Sequence, residues 1–235
     1  MFDTGSYFSL EGQTAIVTGG TTGLGLAITR CMVGAGAKVA VLSYESREQG
    51  REALKEFGGK AVFYQFDITD TDHTQEMADR VIAEQGPVTI LVNNAGNHCK
   101  KYIEDMTVED YVNVLNVHLV GAFALTKALF PHMKEQGKGS ILFQASMTSY
   151  IGQPQVAGYA TAKAGYLGLV HTLQQKAVLT ECASTPLRRD GLIRPCSIRL
   201  RTGDQVRLGK ILGTDSHAEG GKRDGYRYGC RIFKQ

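Results

Sequence analysis

Short apolar runs alternate with longer amphipathic segments along the first three quarters of the chain. The apolar runs are nearly continuous, which is typical of parallel strands buried on both faces. They predict strands at Thr14–Val17, Lys38–Leu42, Ala61–Phe66, Thr89–Asn93 and Ser140–Ala145. The other segments predict helices at Gly25–Ala35, Arg47–Phe57, Asp72–Glu84, Val108–Gln136 and Gly158–Gln175. This alternation predicts an α/β fold, a doubly wound, mostly parallel Rossmann sheet with helices on both faces.

The pattern changes near Thr180. Beyond that residue the apolar periodicity fades, arginine becomes frequent, and no β-rich run of useful length is evident. Composition alone favours a flexible tail for this part of the chain. The sequence therefore divides after residue 179 into a regular α/β part and an atypical C-terminal segment.

Composition narrows the class of protein. The chain has 235 residues, a formal net charge of +3 and 43% hydrophobic residues, which fits one soluble globular domain. It lacks a strong charge run or a mixed basic and aromatic patch, so we expect no nucleic-acid partner. We find no signal-peptide core and no apolar stretch of about 18 residues, so we expect no membrane partner. The five scattered cysteines form no C-x-x-C pair and favour free thiols in the cytoplasm.

A glycine-rich turn, TGGTTGLG at residues 18–25, follows the first predicted strand. Glycines between a strand and a helix permit a tight turn and let the backbone approach a pyrophosphate. They also direct a helix N-terminus toward the charge of that pyrophosphate. Because glycines mark ordinary turns too, the position of this turn in a βαβ unit carries the argument. It predicts a dinucleotide site formed by Thr18, Gly19, Gly23, Leu24 and Gly25.

The end of the second predicted strand bears on the choice of coenzyme. Ser43 and Tyr44 stand where an acidic residue would bind the ribose 2′-hydroxyl of NAD. No carboxylate stands at Ser43 to repel a 2′-phosphate, and Arg47 is close enough in sequence to pair with one. An exposed arginine at a helix start explains Arg47 equally well. The coenzyme is therefore NADP or NAD, with a weak preference for NADP.

Five motifs, in order and at matching spacing, resemble those of the short-chain dehydrogenase/reductase family. The turn at residues 18–25 matches T-G-x-x-x-G-x-G, residues 93–96 match N-N-A-G, and residues 159–163 match Y-x-x-x-K. Asp67-Ile68 resembles the family's pair beside the adenine, and Ser146 precedes Tyr159 by thirteen residues, as the catalytic serine does. Over residues 8–175 the resemblance implies further cofactor contacts from Asp67, Ile68, Asn94, Ala95, Gly96, Tyr159 and Lys163.

The residue types explain the chemistry that the family resemblance implies. A free tyrosine has a pKa of about 10, too high for a general base near neutrality. Tyr159 and Lys163 are four residues apart and share a helix face, so we expect the ammonium to lower the pKa of Tyr159. The resemblance implies that Lys163 also holds the nicotinamide ribose. We expect Ser146 to donate a hydrogen bond to the substrate oxygen during hydride transfer between an alcohol carbon and nicotinamide.

One position departs from the family pattern. His118 aligns with the family's usual catalytic asparagine, which helps to hold a water in the proton relay behind the lysine. A neutral histidine can also donate and accept hydrogen bonds, so the relay can survive. The alternative is a helix histidine with no catalytic part. His98 and Cys99 have no further ligands at a recognisable spacing, so we expect no metal site.

Two short segments suggest a substrate class. Residues 146–149 (SMTS) and 8–12 (FSLEG) resemble the branch that contains gluconate 5-dehydrogenase and 2-deoxygluconate 3-dehydrogenase. This resemblance implies a sugar acid or a related small molecule, and a 3-ketoacyl thioester is the alternative substrate. A non-catalytic or decayed dinucleotide-binding protein of the same fold is the alternative function, which His118 and the C-terminal segment favour.

The C-terminal segment lacks a sequence motif that the family resemblance leads us to expect. In the family, the catalytic helix is followed by a strand similar to R-V-N-x-I-A-P-G. Codons for Thr180–Pro195 can spell GVRVNAIAPGWINTPM when the reading frame is shifted by one nucleotide. We therefore interpret 1–179 as the dinucleotide-binding and catalytic Rossmann domain and 180–235 as a frameshifted segment.

The shifted frame has structural consequences. With the last two strands missing or scrambled, we expect an uncovered outer edge on the fifth strand, low stability and little turnover. The resemblance implies a homo-oligomer, since family relatives are commonly tetramers or dimers that pack through the helices holding His118 and Tyr159 and through the final strand. The changed C-terminal segment makes such an assembly doubtful for this chain.

Overall fold

A computed structural model describes the backbone of residues 8–178, 183–184 and 196–201 and the side-chain environments of residues 8–174. Its strands are β1 (Thr14–Thr18), β2 (Lys38–Ser43), β3 (Ala61–Gln65), β4 (Val88–Asn93), β5 (Lys138–Phe143), β6 (Ala183–Ser184) and β7 (Cys196–Arg201). Its helices are α1 (Gly23–Gly34), α2 (Arg47–Leu54), α3 (Thr74–Gln85), α4 (Val108–Leu115), α5 (Gly121–Glu135) and α6 (Ala157–Val178).

Strands β1 to β5 form a parallel sheet in the order β3-β2-β1-β4-β5. The strand order reverses between β1 and β4, and ligands of open α/β sheets bind at the carboxyl ends of the strands at such a point. This arrangement confirms the predicted doubly wound parallel sheet. It also places the end of β1, where the glycine turn begins, beside the end of β4.

Helices cover both faces of the parallel sheet. Ala15 and Val17 of β1 are fully buried on one face, where Leu26 and Met32 of α1 pack against the same cluster. Ile16 points to the other face and belongs to a second cluster with buried side chains of α5 and α6. All five residues of β1 are therefore buried, and this two-sided burial explains why its sequence does not alternate between apolar and polar positions.

The segment predicted as one helix at Val108–Gln136 is divided by a π turn. Helix α4 leads through a π turn at Asn116–Val120 into α5, which ends at Glu135. This continuous helix, Val108–Glu135, is long and apolar enough to cross a membrane, so the expectation that no such stretch exists was wrong. Half of its most apolar window is buried inside the protein, and Leu125 and Leu129 are fully buried against the sheet. Its apolar character thus reflects a core helix.

Part of the C-terminal segment forms strands, which the sequence pattern did not reveal. Strand β7 pairs antiparallel with β5, from Lys138 opposite Arg201 to Phe143 opposite Cys196, and β6 pairs antiparallel with β7. The expectations of no β-rich run after residue 180 and of an uncovered β5 edge were therefore wrong. The physical reason is that the CSIRLR segment alternates between apolar and polar residues, as antiparallel strands do, and lacks the continuous apolar run that marks a buried parallel strand. The rest of 180–235, with most of the frameshift interpretation, lies outside the described residues.

Candidate active site

A cleft of about 740 Å³ opens at the carboxyl ends of the parallel strands. Pockets of 300–1,000 Å³ accommodate most cofactors and small ligands. Most residues predicted for the site line this cleft: Gly19, Gly23, Leu24, Gly25, Ser43, Tyr44, Asp67, Ile68, Asn94, Ala95, Gly96, His118, Tyr159 and Lys163. The structure therefore brings the glycine turn and the Tyr–Lys pair to one cleft.

Three predicted residues do not line the cleft. Thr18 is buried behind it, where its hydroxyl oxygen accepts hydrogen bonds from the backbone N–H groups of Asn94 (3.0 Å) and Ala95 (2.9 Å). Arg47 is exposed at the start of α2, beside a smaller cavity that Arg51 and Arg80 also line. Ser146 is half-buried on the loop after β5. Thr18 thus supports the dinucleotide loop from behind, whereas Arg47 does not face it.

The glycine turn has the geometry of a pyrophosphate cradle. Gly19 and Gly23 adopt φ values of +62° and +51°, in the left-handed region that favours glycine. A Cβ atom on Gly25 would lie 1.9 Å from the carbonyl oxygen of Gly19. The Thr22 side chain does not cap α1, so the first N–H groups of this helix are left for a ligand. The side-chain amide of Asn94 stabilises the turn by donating to the carbonyl oxygens of Thr18 and Gly19. These features fit a dinucleotide phosphate.

The structure adds one acidic residue that the sequence argument missed. Glu45 lines the cleft two residues beyond Ser43, and the hydroxyl of Thr21 donates to its Oε1 at 2.8 Å. Burial favours the neutral acid, but hydrogen bonds from Ser43 and Thr21 outweigh it and hold the pKa of Glu45 below its usual value. Its Oε2 is buried without a partner among the described residues. An acidic residue that binds the ribose is expected at the strand end itself, so the sequence pattern does not reveal a carboxylate two residues later.

The Lys163 ammonium lies deep in the cleft. Lys163 is 3% exposed, and its Nζ donates to the carbonyl oxygen of Gln144 at 2.6 Å. The same atom lies 5.4 Å from the ring centroid of Tyr159 and 4.8 Å from that of Tyr166. Burial lowers the pKa of Lys163 to about 8. The predicted sharing of a helix face by Tyr159 and Lys163 is thus realised on α6.

Ser146 is held by a short 3-10 turn at Met147–Ser149. Its Oγ accepts from the backbone N–H of Thr148 at 3.2 Å, which leaves the hydroxyl hydrogen available as a donor. The hydroxyl of Ser149 donates to the carbonyl oxygen of Lys163 at 2.9 Å. The turn that carries Ser146 is therefore tied to the helix that carries Tyr159 and Lys163.

His118 lies in the π turn and is 3% exposed. Its Nε2 lies 2.8 Å from the carbonyl oxygen of Asn97 and 3.2 Å from the backbone nitrogen of Asn97, so one tautomer can satisfy only one of these contacts. Its Nδ1 is buried without a partner among the described residues. Burial and the nearby Lys163 ammonium lower the pKa of His118 to about 4, so the ring is neutral near pH 7.

Loop residues complete the surroundings of Tyr159. The His118 ring meets the Tyr159 ring edge-on at a centroid distance of 5.2 Å, and the His98 ring lies 5.0 Å from it on the cleft wall. Gly96 has no room for a side chain, since a Cβ there would lie 2.2 Å from Cε1 of His118. Among the residues that the structure describes, no group of three or more His, Cys, Asp or Glu side chains could hold a metal ion.

Comparison with known proteins identifies the family. Residues 13–182 match the family model described as short chain dehydrogenase. A 2-dehydro-3-deoxy-D-gluconate 5-dehydrogenase from Formosa agariphila is 35% identical over 161 residues, 67% of this chain and 61% of that protein. A 3-oxoacyl-acyl-carrier-protein reductase from Thermotoga maritima is 33% identical over 165 residues, 69% of this chain and 67% of that protein.

A solved structure supports the same assignment. A crystal structure from Beutenbergia cavernae, described as an NAD(P)-dependent gluconate 5-dehydrogenase with NADP bound at low occupancy, superposes with a TM-score of 0.69 and 32% identity. The match covers 74% of this chain and 70% of that one. The chain belongs to the short-chain dehydrogenase family of NAD(P)-dependent oxidoreductases. It spans 61% of the length of the Formosa relative.

The close approach at Gly25 yields a test of the cofactor cradle. Gly25→Ala forces a Cβ into the carbonyl of Gly19, so we expect at least a tenfold loss of NADPH affinity, equivalent to about 1.4 kcal/mol. Fluorescence titration measures this affinity. Gly34→Ala is the matched control, since Gly34 closes the same helix and a Cβ there meets nothing within 4 Å. Equal affinities in the two variants would contradict the assignment.

The buried ammonium yields a test of stability. At pH 7 the folded protein keeps Lys163 charged at a desolvation cost, so Lys163→Met should raise the free energy of unfolding by about 1–3 kcal/mol. Because the folded pKa, about 8, lies below the unfolded value, the parent regains stability as pH rises above 8 and the difference shrinks. Urea unfolding at pH 7 and 9.5 measures it. The exposed Lys127→Met is the control, and destabilisation at pH 7 in the Lys163 variant alone would refute the argument.

Proposed function

We propose that this protein interconverts a secondary alcohol and a ketone with NADP or NAD as coenzyme. The observation that carries this proposal is the placement of Tyr159 and the buried Lys163 on one helix face, at the cleft that the glycine turn also lines. A bound nicotinamide accepts or supplies the hydride. The residues of the chain position the reactants and move the proton.

Tyr159 is the proposed general acid and base. Its hydroxyl takes a proton from the alcohol in oxidation and returns one to the carbonyl oxygen in reduction. The Lys163 ammonium stabilises the deprotonated hydroxyl and uses one of its three N–H donors on the Gln144 carbonyl, which leaves donors for the ribose of the coenzyme. Ser146 donates its free hydroxyl hydrogen to the substrate oxygen.

His118 is proposed to pass the proton onward from Lys163. It is neutral and buried, and it carries one ring nitrogen without a protein partner among the described residues, so a water can bind there as it would to an asparagine. The alternative function is that of a non-catalytic dinucleotide-binding protein. It is favoured by the presence of His118 at the position of the family's usual asparagine and by the position of Ser146 outside the cleft lining. A turnover measurement separates the two functions.

A sugar acid or a related small hydroxy compound is the proposed substrate, and a 3-ketoacyl thioester is the alternative. Similar proteins described as a 2-dehydro-3-deoxy-D-gluconate 5-dehydrogenase and as an acyl-carrier-protein reductase support this pair. The protein is proposed to act in the cytoplasm, since Cys31 and Cys99 are free thiols. No nucleic acid or membrane is needed for this reaction.

Tyr159→Phe tests the reaction directly. Loss of the hydroxyl removes the proposed acid–base group, so we expect kcat to fall by about 10²–10⁴ while NADPH affinity stays within about threefold. Absorbance of NADPH or NADH at 340 nm, with keto-gluconates and acetoacetyl thioesters as substrates, measures turnover. Tyr150→Phe, an exposed tyrosine on the adjoining loop, is the control. Nucleotide binding without turnover in the parent protein would support the non-catalytic alternative.

Glu45→Gln tests the coenzyme preference. A carboxylate in the cleft repels a 2′-phosphate, so its neutralisation should tighten NADPH by about 5–10-fold, or about 1 kcal/mol, and leave NADH binding weaker or unchanged. The ratio of the two dissociation constants is the measured quantity. Glu48→Gln, on the exposed side of α2, is the matched control. An unchanged ratio in the Glu45 variant would show that this carboxylate lies away from the 2′ position.

A further inference from the structure

The buried cation of Lys163 has no counter-anion among the described residues. The described ion pairs all involve other side chains. Asp110 of the neighbouring α4 is bound to Lys101. The rings that pack on Tyr159 from the π turn and from the loop after β4 belong to His118 and His98, neither of which carries a negative charge. An isolated ammonium in a protein interior needs compensation. Here the nearest groups that can provide it are one carbonyl oxygen and two aromatic faces.

Tyr166 supplies the closer of the two aromatic faces. Its ring centroid lies 4.8 Å from the Lys163 Nζ, within the range of a cation–π contact, whereas that of Tyr159 lies at 5.4 Å. Tyr166 is fully buried and packs on Phe143 of β5 at a centroid distance of 5.1 Å. Because desolvation strengthens cation–π contacts, this ring is a larger source of stabilisation than an exposed one.

The hydroxyl of Tyr166 reaches the π turn. It donates to the carbonyl oxygen of His118 at 2.5 Å. In a π turn the backbone hydrogen bonds run from i to i+5, and such turns occur frequently at functional sites. Burial raises the pKa of Tyr166, so the group stays a neutral donor. The Tyr166 side chain thus contacts both His118 and the buried Lys163.

We propose that Tyr166 is a positioning residue of the catalytic centre, whose ring holds the Lys163 ammonium against Tyr159 and whose hydroxyl fixes the π turn that carries His118. This inference rests on the proposed function only in assigning Lys163 to the chemistry. The ring and the hydroxyl have separable tasks. Removal of the hydroxyl alone should disturb His118, and removal of the ring should disturb Lys163.

Two substitutions separate these tasks. Tyr166→Phe keeps the ring, so we expect the pKa of Lys163 to stay at its parent value, while the carbonyl ¹³C resonance of His118 shifts because its hydrogen bond is lost. Tyr166→Met removes both, and we expect the pKa of Lys163 to fall by about one unit. Titration of ε-¹³C-lysine resonances by NMR in the full chain, without added nucleotide, measures this pKa. Phe143→Leu is the matched control, since it removes a buried ring that touches Tyr166.

The pKa of Lys163 in the Tyr166 variants decides the inference whether or not the protein turns over a substrate. An unchanged pKa of Lys163 in a folded Tyr166→Met variant, or an equal fall in the Tyr166→Phe variant, would overturn the inference. If the Met variant does not fold, a ring-fluorinated phenylalanine at position 166 weakens the aromatic face at nearly constant size. A lysine pKa below that of the Phe variant then supports the inference, and an equal pKa refutes it. A parent protein without turnover refutes the proposed function and leaves this titration valid.

Discussion

The proposed catalytic half of the cleft depends on keeping the Lys163 ammonium charged while it is withdrawn from water. Lys163 is 3% exposed, and burial alone lowers its pKa to about 8. The fold offsets this cost with a carbonyl at the end of β5 and with two phenol rings from the same helix. The hydroxyl of Ser149 ties the 3-10 turn after β5 to α6 and so helps to fix the positions of these partners. The geometry of the proposed proton transfer therefore derives from packing.

The proposed cofactor half of the cleft depends on the close approach of two backbone loops and not on a buried charge. The turn after β1 and the loop after β4 are joined by Thr18 and Asn94, each of which bonds to the other loop. A side chain at Gly25 would close the space that this contact needs, since its Cβ would meet the Gly19 carbonyl and the Asn94 amide. Gly96 also admits the His118 ring, so the two halves of the cleft meet at one glycine. A side chain at Gly96 would for this reason displace the His118 ring.

The sequence predicted the parallel sheet and most of the cleft, because long apolar runs and glycine spacing are local signals. It could not place Arg47 or Ser146, since the direction of a side chain from a helix start or a loop depends on tertiary packing. Glu45 follows the end of β2 by two residues, and only the folded turn shows that its carboxylate lines the cleft. Strand β7 was missed because a short alternating run is ambiguous until its partner is known. Tyr166 carried no motif, and only its contacts with Lys163 and His118 distinguish it.

The described residues that line the cleft come from one part of the chain. Every described lining residue lies between Gly19 and Lys163, within the part that matches the family model. Strand β7 lies beside β5 and runs antiparallel to it. The described residues of the cradle and the Tyr–Lys pair thus all belong to the regular α/β part. The family resemblance implies that residues after the catalytic helix close over the nicotinamide, so we expect changes there to affect the rate of hydride transfer more than nucleotide affinity.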